Sequence, residues 1–435
     1  MPRCALAPGT ATRAPCVDHR EDGLRRTPRR RSAMGASSMT QQSESTTTSA
    51  GPRESAPARE AAAPLTESAV TETPFAQKPF TETPFTEKPF TETPLTEASL
   101  VESPLAPPFP PLAEPRPLGE RRVWPRTFHD RLTAPLPGLK AFARFAREGA
   151  VRPGADGLAD IPRLPFEPGP LPRVDARTVA VSWAGHASWV VRIGGLTVLT
   201  DPVWSRRILG TPPRVTPVGV AWSALPHIDA VVISHNHYDH LDAPTLSRLP
   251  RDTPVLVPAG LGRWFQRRRF TCVTELDWWE AAEVSGVRFD FVPAHHWSKR
   301  TLTDTCRSLW GGWVLTDAGG QRVYFAGDTG YGHWFTRIGR RYPGIDLALL
   351  PIGAYDPRWW LSDVHCDPEE AVRATQDLGA RRMAPMHWGT FILSAEPVLE
   401  PLTRVRRAWE EAGLAREDLW DLPVGASRVL KSADF

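Results

Sequence analysis

From Arg177 to the C-terminus, apolar residues come in short runs separated by turn residues or knots of polar side chains, a spacing that suits buried strands better than amphipathic helices. The runs predict strands over 179–183, 189–193, 196–200, 229–233, 255–257, 287–292, 310–315, 322–325, 347–350, 382–384 and 426–431. Gly194-Gly195 supplies the tight turn of a hairpin, and Asp201-Pro202 closes the strand that follows it. Helices are expected after Asp242 and over 260–268, 368–378 and 400–412. The 368–378 helix has the clearest start, because Asp367 can cap it, Pro368 fits a first turn, and Glu369 and Glu370 complement the helix dipole. Antiparallel strand runs interrupted by outer helices predict a layered α/β sandwich with its ligands on loops at strand ends.

The pattern changes toward the N-terminus. Over 137–147, Leu139, Phe142, Phe145 and Ala146 share one helical face while Lys140, Arg144 and Arg147 lie elsewhere. This short basic amphipathic helix either docks on the main domain or lies on a membrane surface. Residues 1–115 are dominated by Pro, Ser, Thr, Ala and Glu, with an arginine-rich patch at Arg25, Arg26, Arg29, Arg30 and Arg31. Such a segment cannot bury enough apolar area to offset its ordering entropy. Within it, TETPFAQKPF, TETPFTEKPF and TETPLTEASL make a ten-residue repeat from Thr71 to Leu100, too short a period for a solenoid unit, which reads as a disordered spacer rather than a docking array. The expected organisation is a disordered tail over 1–115, an extension carrying the amphipathic helix over 116–176, and the main α/β domain over 177–435.

Composition excludes more than it selects. A chain of 435 residues, 41% of them hydrophobic, can build a substantial core. The formal net charge of +3 gives no general basis for a nucleic-acid partner, and none is expected. Five cysteines (Cys4, Cys16, Cys272, Cys306 and Cys366), odd in number and without CxxC spacing, indicate neither a disulfide framework nor a thiolate zinc site and suit a reducing compartment. No stretch approaches the roughly 20 apolar residues of a bilayer span, and charged and polar residues stand where a secretory apolar region would be. The expected location is the cytoplasm, with peripheral attachment to a membrane surface left open.

The 229–233 strand runs into SHNHYDHLD at Ser234–Asp242, which crowds His235, His237, Asp239 and His240 into six positions. Buried without a cation, three imidazoles and a carboxylate so placed would repel one another and strand polar groups. The cluster therefore reads as metal-binding, with His235 and His237 directed to one ion and Asp239 and His240 to its neighbour. Three other strand ends supply further donors: FVPA leads into His295-His296-Trp297, VYFA into Gly327-Asp328-Thr329, and MAPM into His387-Trp388-Gly389. Gly327 lets the backbone come close, and the two oxygens of Asp328 can bridge two cations.

HxHxDH followed by a later His, an Asp and a last His resembles the metallo-β-lactamase superfamily, which implies an αββα sandwich with metals at one edge. GHASWVVRIGGLTVLTDPVWSRR, ELDWWE, PAHHWSKRTLTD, LWGGW, FAGDTGY, DLALLPIGAYDPRWW, VHCDPEEAV and HWGTF are similar to the family of N-acyl-phosphatidylethanolamine-hydrolysing phospholipase D, over roughly 177–435. The resemblance implies two zinc ions, one held by His235, His237 and His296, the other by Asp239, His240 and His387, with Asp328 bridging. His296 is preferred to His295 because the histidine directly before a Trp is the ligand in the family pattern. The implied nucleophile is a metal-bound hydroxide, with Asp239 and Asp328 in the catalytic centre. His365 either contacts the phosphate or protonates the leaving group, or else serves as a structural cap. His186 and Asp201 would support the ligands from behind.

A phosphodiester lipid needs a cationic rim beside an apolar trench, and Lys299, Arg300, Arg358 and Trp359 are expected at the substrate. Residues 264–270 mix aromatics and cations in the manner of a membrane-interface anchor, although most of the 17 tryptophans are expected in the core. The implied reaction is hydrolysis of an N-acylphosphatidylethanolamine-like phospholipid to phosphatidic acid and an N-acylethanolamine, by a chain for which a homodimer remains open. The alternatives are a lactonase or nuclease of the same superfamily, or a binding protein that keeps the fold.

Overall fold

The computed structural model describes residues 111–148 and 152–430, so the ten-residue repeats and the arginine patch lie outside the described residues. In chain order the strands are β1 (Pro115–Arg116), β2 (Val179–Gly185), β3 (Ser188–Ile193), β4 (Leu196–Thr200), β5 (Ala230–Val232), β6 (Val255–Pro258), β7 (Val273–Leu276), β8 (Ala281–Val284), β9 (Val287–Val292), β10 (Gly312–Thr316), β11 (Arg322–Phe325), β12 (Leu347–Pro351), β13 (Met383–Met386) and β14 (Ser427–Leu430). They form two seven-stranded sheets, ordered β14-β2-β3-β4-β5-β6-β7 and β1-β8-β9-β10-β11-β12-β13. The helices are α1 (Leu139–Glu148), α2 (Ala155–Leu158), α3 (Ala243–Leu246), α4 (Gly262–Gln266), α5 (Trp334–Arg341), α6 (Arg358–Leu361), α7 (Pro368–Asp377) and α8 (Glu400–Glu411).

Each sheet has an antiparallel half, β2 to β4 and β8 to β11. Each continues as a parallel half, β4 to β7 and β11 to β13. The parallel halves depart from the antiparallel runs that the sequence pattern predicts. Their cause is the connections: α3, α4, α5 and the α6–α7 pair each carry the chain back between successive strands, which a hairpin cannot do. The consequence is functional, because ligands collect beyond the C-terminal ends of parallel strands.

Local chemistry accounts for the elements that were legible. All seven residues of β2 are buried, as a strand covered on both faces requires. The β3–β4 hairpin turns on Gly194 and Gly195, both at positive φ, and a Cβ on Gly194 would stand 2.5 Å from Val287 Cγ2, so no other residue fits there. The α7 start is a full capping box: the Asp367 carboxylate accepts from the Glu370 amide at 2.8 Å and the Glu370 carboxylate from the Asp367 amide at 3.1 Å. A cap of this kind is worth about 1 kcal/mol.

Side chains of both sheets merge into one hydrophobic core that includes Val181, Val191, Val198, Phe289, Trp313 and Leu349. Among its largest members are three tryptophans whose indole N–H groups find carbonyls: Trp313 donates to Ile233 at 2.9 Å, Trp310 to Ala294 at 3.1 Å and Trp278 to Trp310 at 2.6 Å. An indole N–H buried without a partner would cost about 1–3 kcal/mol. Here the bonds also have a direction, since Ile233 and Ala294 are the last residues before the two histidine-bearing loops.

Ahead of β2 the chain follows the domain's surface. β1 lies beside β8, the Phe128 amide donates to the Cys306 carbonyl at 2.7 Å, and Phe166 bridges to Val424. Glu280 receives Arg116 at 2.8 Å and Arg122 at 2.5 Å, and Arg131 reaches Asp277 at 3.2 Å. No helix among the described residues is long and apolar enough to cross a membrane.

Candidate metal centre and its cavity

β5 stops at Val232, and the next residues are held in place before the turn begins. The Ser234 amide and hydroxyl donate to Asp201 at 2.7 and 2.5 Å, and the amides of His240 and Leu241 close back on the His237 carbonyl at 3.2 and 2.9 Å. Asp242 then caps α3, its carboxylate accepting from Thr245. A strand, a tight turn and a capped helix thus confine SHNHYDHLD. Across from it, Gly327 at positive φ turns the end of β11 so closely that a Cβ would stand 2.4 Å from the Ser234 Cβ, which delivers Asp328 into the cluster.

Two groups of ligand-type atoms result. His235, His237, His296 and Asp328 bring one ligand atom each within 4.8 Å of one another, and so do His186, Asp239, His240 and His387. Asp328 touches both: its Oδ2 lies 3.8 Å from Nε2 of His235 and of His296 and 3.1 Å from Nε2 of His240, while its Oδ1 lies 3.0 Å from Nε2 of His387. Those approaches do not have hydrogen-bond direction. Nε2 of His235, His240 and His387 and Oδ1 of Asp328 are buried with no hydrogen-bond partner. Four such orphans in one place would be strongly destabilising unless a cation joins them, and the donor set of imidazoles and carboxylates suits a borderline cation. The residues present fit a metal.

Electrostatics agree. Burial pushes His235 and His296 well below the usual histidine value and His237 down to about 4, which leaves neutral imidazoles with free lone pairs. Burial works against ionising Asp328 and Asp239, yet the neighbouring His240 and other imidazoles hold both carboxyls well below the usual range. Their negative charge in turn overcomes burial at His387, raised to about 9, and at His240, raised well above the usual histidine value. Two buried carboxylates demand positive charge, and without a metal that demand falls on His240 and His387.

The surroundings orient these donors. Asp201 accepts from Nδ1 of His240 at 2.7 Å, and the Val364 carbonyl accepts from Nδ1 of His296 at 3.0 Å, so both rings keep Nε2 for the cluster. His186, Asp201 and His387 all sit at positive φ without being glycine. Conformations of this kind cost about 1–3 kcal/mol each and persist only where surrounding contacts impose them.

The structure brings His235, His237, Asp239, His240, His296, Asp328 and His387 together, and His186, expected behind them, has its Nε2 3.1 Å from Asp239 Oδ2. His295 faces away, its ring 5.2 Å from that of His333. His365 stands inside the centre, its ring 5.2 Å from His296 and 5.5 Å from His387, and burial lowers it to about 4.

Beside the cluster opens a cavity of about 310 Å³. His237, His296 and His365 form its floor, Lys299 and Asp363 are its other charged members, and Trp297, Trp360, Leu361, Val364, Leu132 and Leu136 make much of its wall. Two expectations need correction here. Arg358 does not line the cavity, because its guanidinium is taken by Glu370 at 2.8 Å and by the His365 carbonyl at 2.9 Å. Trp359 does not line it either; it stacks under Arg144 at 3.8 Å and donates to Glu148 at 3.0 Å, while its neighbour Trp360 takes the wall position. These three residues belong to the short helix α6. Arg300 turns its guanidinium to the Asn236 carbonyl at 3.1 Å and over the Tyr238 ring at 3.9 Å, beside the opening rather than in it. The wall from residues 132–137 carried no sequence signal beyond its prolines, whereas Trp297 could have been suspected from its place directly after a ligand.

A strand-end His/Asp centre in a two-sheet α/β sandwich defines a metal-dependent hydrolase of the metallo-β-lactamase class. Residues 197–388 match the family described as a beta-lactamase superfamily domain. The chain is 43% identical over 277 residues to an uncharacterized protein of Mycobacterium tuberculosis, covering 61% of this chain and 71% of that one. It is 37% identical over 258 residues to N-acyl-phosphatidylethanolamine-hydrolyzing phospholipase D 1 of Caenorhabditis elegans, covering 55% of this chain and 71% of that one. It is 32% identical over 232 residues to a UPF0173 metal-dependent hydrolase of Nitratidesulfovibrio vulgaris, covering 51% and 83%. The chain belongs to the N-acyl-phosphatidylethanolamine-hydrolysing phospholipase D-like family of the metallo-β-lactamase superfamily.

Proposed function

We propose that the chain is a zinc-dependent phosphodiesterase of phospholipase D type, hydrolysing N-acylphosphatidylethanolamine-like lipids to phosphatidic acid and an N-acylethanolamine. The observation that carries this reading is the continuity of one space, in which an apolar wall of Trp297, Trp360, Leu361 and Leu136 meets a floor of ligand histidines with a single lysine at the rim. A ligand both greasy and anionic suits such a space; a small polar substrate does not need the wall.

His235, His237 and His296 would hold one zinc ion and Asp239, His240 and His387 the other, with Asp328 shared between them. Bound there, the pair supplies Lewis acidity toward a phosphoryl oxygen and an activated water. The chain's own side chains do the rest. Lys299 offers a counter-charge to the phosphodiester anion at the cavity rim. His365, neutral because it is buried, has a ring nitrogen, Nδ1, with no protein partner, so it can hydrogen-bond a phosphoryl oxygen or accept a proton from the attacking water. The apolar wall takes the acyl chain and keeps bulk water from the reacting bond.

The test is metal analysis of the purified protein with turnover measured on N-acylphosphatidylethanolamine, a bis-aryl phosphodiester and a lactone. Two equivalents of zinc and cleavage of both phosphodiesters are expected. Zinc-free active protein, or lactone turnover with inert phosphodiesters, would sink the reading.

A further inference from the structure

Beside the cavity mouth the chain gathers positive charge that its own carboxylates leave uncompensated. Arg251, Arg267, Arg268 and Arg269 line a groove of about 510 Å³ next to α3 and α4. Lys299 and Arg300 line an open depression that also includes His237 and Trp297 of the cavity wall. Aromatic rings join the two: Arg268 lies 3.6 Å over Trp264, Arg300 5.7 Å from the same ring, and Arg300 3.9 Å over Tyr238. The cationic strip therefore runs without a break from the groove to the metal-side lip of the cavity.

Among the described residues none of these six cations forms an ion pair, although acids lie close by. Asp304 spends a carboxylate oxygen on the amides of Arg300 and Thr301, and Asp242 accepts from Ser205 and Thr245. Burial, with repulsion from Arg267 at Arg268 and from Arg268 at Arg300, holds both guanidinium groups below the usual arginine value. A chain with a formal net charge of only +3 has thus concentrated like charges at one place against their repulsion.

Two leucines stand in solvent beside the strip. Leu302, two residues past Arg300, is 94% exposed, and Leu209, next to the Ile208 that packs with Tyr238, is 70% exposed. Bare leucines flanking interleaved arginine and tryptophan suit an interface with a charged surface and an apolar interior. A nucleic-acid backbone would satisfy the cations but gives the leucines nothing to enter.

We infer that this face, from Arg251 and Arg267–Arg269 through Trp264 to Arg300 and Leu302, docks the protein on the anionic surface of a lipid bilayer. The cations meet headgroup phosphates, Leu302 and Leu209 enter the outer acyl region, and the cavity mouth is held at the level where a lipid can leave the bilayer. The inference does not depend on which bond the metal centre cleaves, since docking is read without turnover.

The experiment is sedimentation of the full chain with vesicles of phosphatidylcholine alone and of phosphatidylcholine mixed with phosphatidylglycerol, over a salt series. Binding to the mixed vesicles that weakens as salt rises is expected, with little binding to the neutral ones. Each arginine near an anionic bilayer changes binding about fivefold, so Arg267→Ala, Arg268→Ala and Arg269→Ala combined should weaken it about a hundredfold. Leu302→Ser, which leaves charge alone, should weaken it several-fold. Zinc content and circular dichroism of the variants should match the parent, which separates lost docking from lost fold. Equal binding to both vesicle types, salt-insensitive binding, an arginine triple variant that binds like the parent, or preference for duplex nucleic acid over the mixed vesicles would each overturn the inference.

Discussion

The two walls of the cavity are built on opposite principles. The metal wall hangs on strand ends: β5, β9, β11 and β13 each stop and release a ligand within four residues, and Ser234, Asp201 and Val364 hold His235, His240 and His296 by hydrogen bonds of 2.7–3.0 Å. The facing wall is made of an irregular strap, residues 132–137, and the short helix α6. That strap is tethered by an amide at Phe128 and by arginines reaching Glu280 and Asp277. One wall concentrates buried charge and backbone strain; the other offers apolar surface with no strain of its own. The difference teaches that chemistry here is placed by rigid elements and substrate shape by tethered ones, so the two should respond separately to substitution.

The largest effect should come from Asp328→Asn, since this one carboxylate contacts both ligand groups. Metal content should fall below two equivalents and turnover by more than about a hundredfold; full metal occupancy with intact activity would show that the two groups do not share it. His365→Ala should leave metal content unchanged and lower turnover by about a hundredfold, the usual range for loss of a general acid or base. Metal loss in that variant would move His365 from the cavity floor into the ligand set. On the other wall, Trp360→Ala should raise KM for a long-chain phospholipid by about tenfold, through loss of apolar contact, and leave kcat on a small bis-aryl phosphodiester nearly unchanged. A fall in kcat on the small substrate would break the separation of the walls.

The smallest effect concerns the tether. Burial tends to raise the Glu280 carboxyl, but the Asp277 amide and the guanidinium groups of Arg122 and Arg116 outweigh it and hold the carboxyl below its usual value. A lowered folded pKa means that the tether stabilises above the unfolded carboxyl value of 4.5 and that this contribution disappears as pH falls through the folded value. Glu280→Gln should lower thermal stability at neutral pH by less than about 1 kcal/mol, because the group is only half-buried. It should also remove that part of the acid dependence from melting curves recorded from neutral pH downward. An unchanged acid limb would mean that the strap is held by packing rather than by charge.

The same division governs what could be read beforehand. SHNHYDHLD, Asp328, His296 and His387 were legible because each ligand follows an apolar run, and a run that ends in a polar knot reports both the strand and its functional end. The strands β7 and β8 and the helix α5 were not legible. The strands are only four residues long, each with a glutamate, and α5 carries Gly339 in its middle because a Cβ there would stand 2.5 Å from the Leu378 carbonyl oxygen. Arg358 and Trp359 were misplaced for a related reason. Their motif is local, but whether a side chain in it faces the cavity or a neighbouring helix depends on Glu370, Arg144 and Glu148, which are distant in the chain or have no signature of their own.

By itself, then, the order of residues determined which side chains could bind metal, the strands that carry them and the sandwich those strands require, because hydrophobic period and turn chemistry act over a few residues. Tertiary structure decided three further matters. It ran half of each sheet parallel, it set His186 against the carboxylate of Asp239, and it set the strap 132–137 across from the histidines as a cavity wall. Each of these depends on contacts between segments far apart in sequence, and those contacts form only when the two sheets close on a common core.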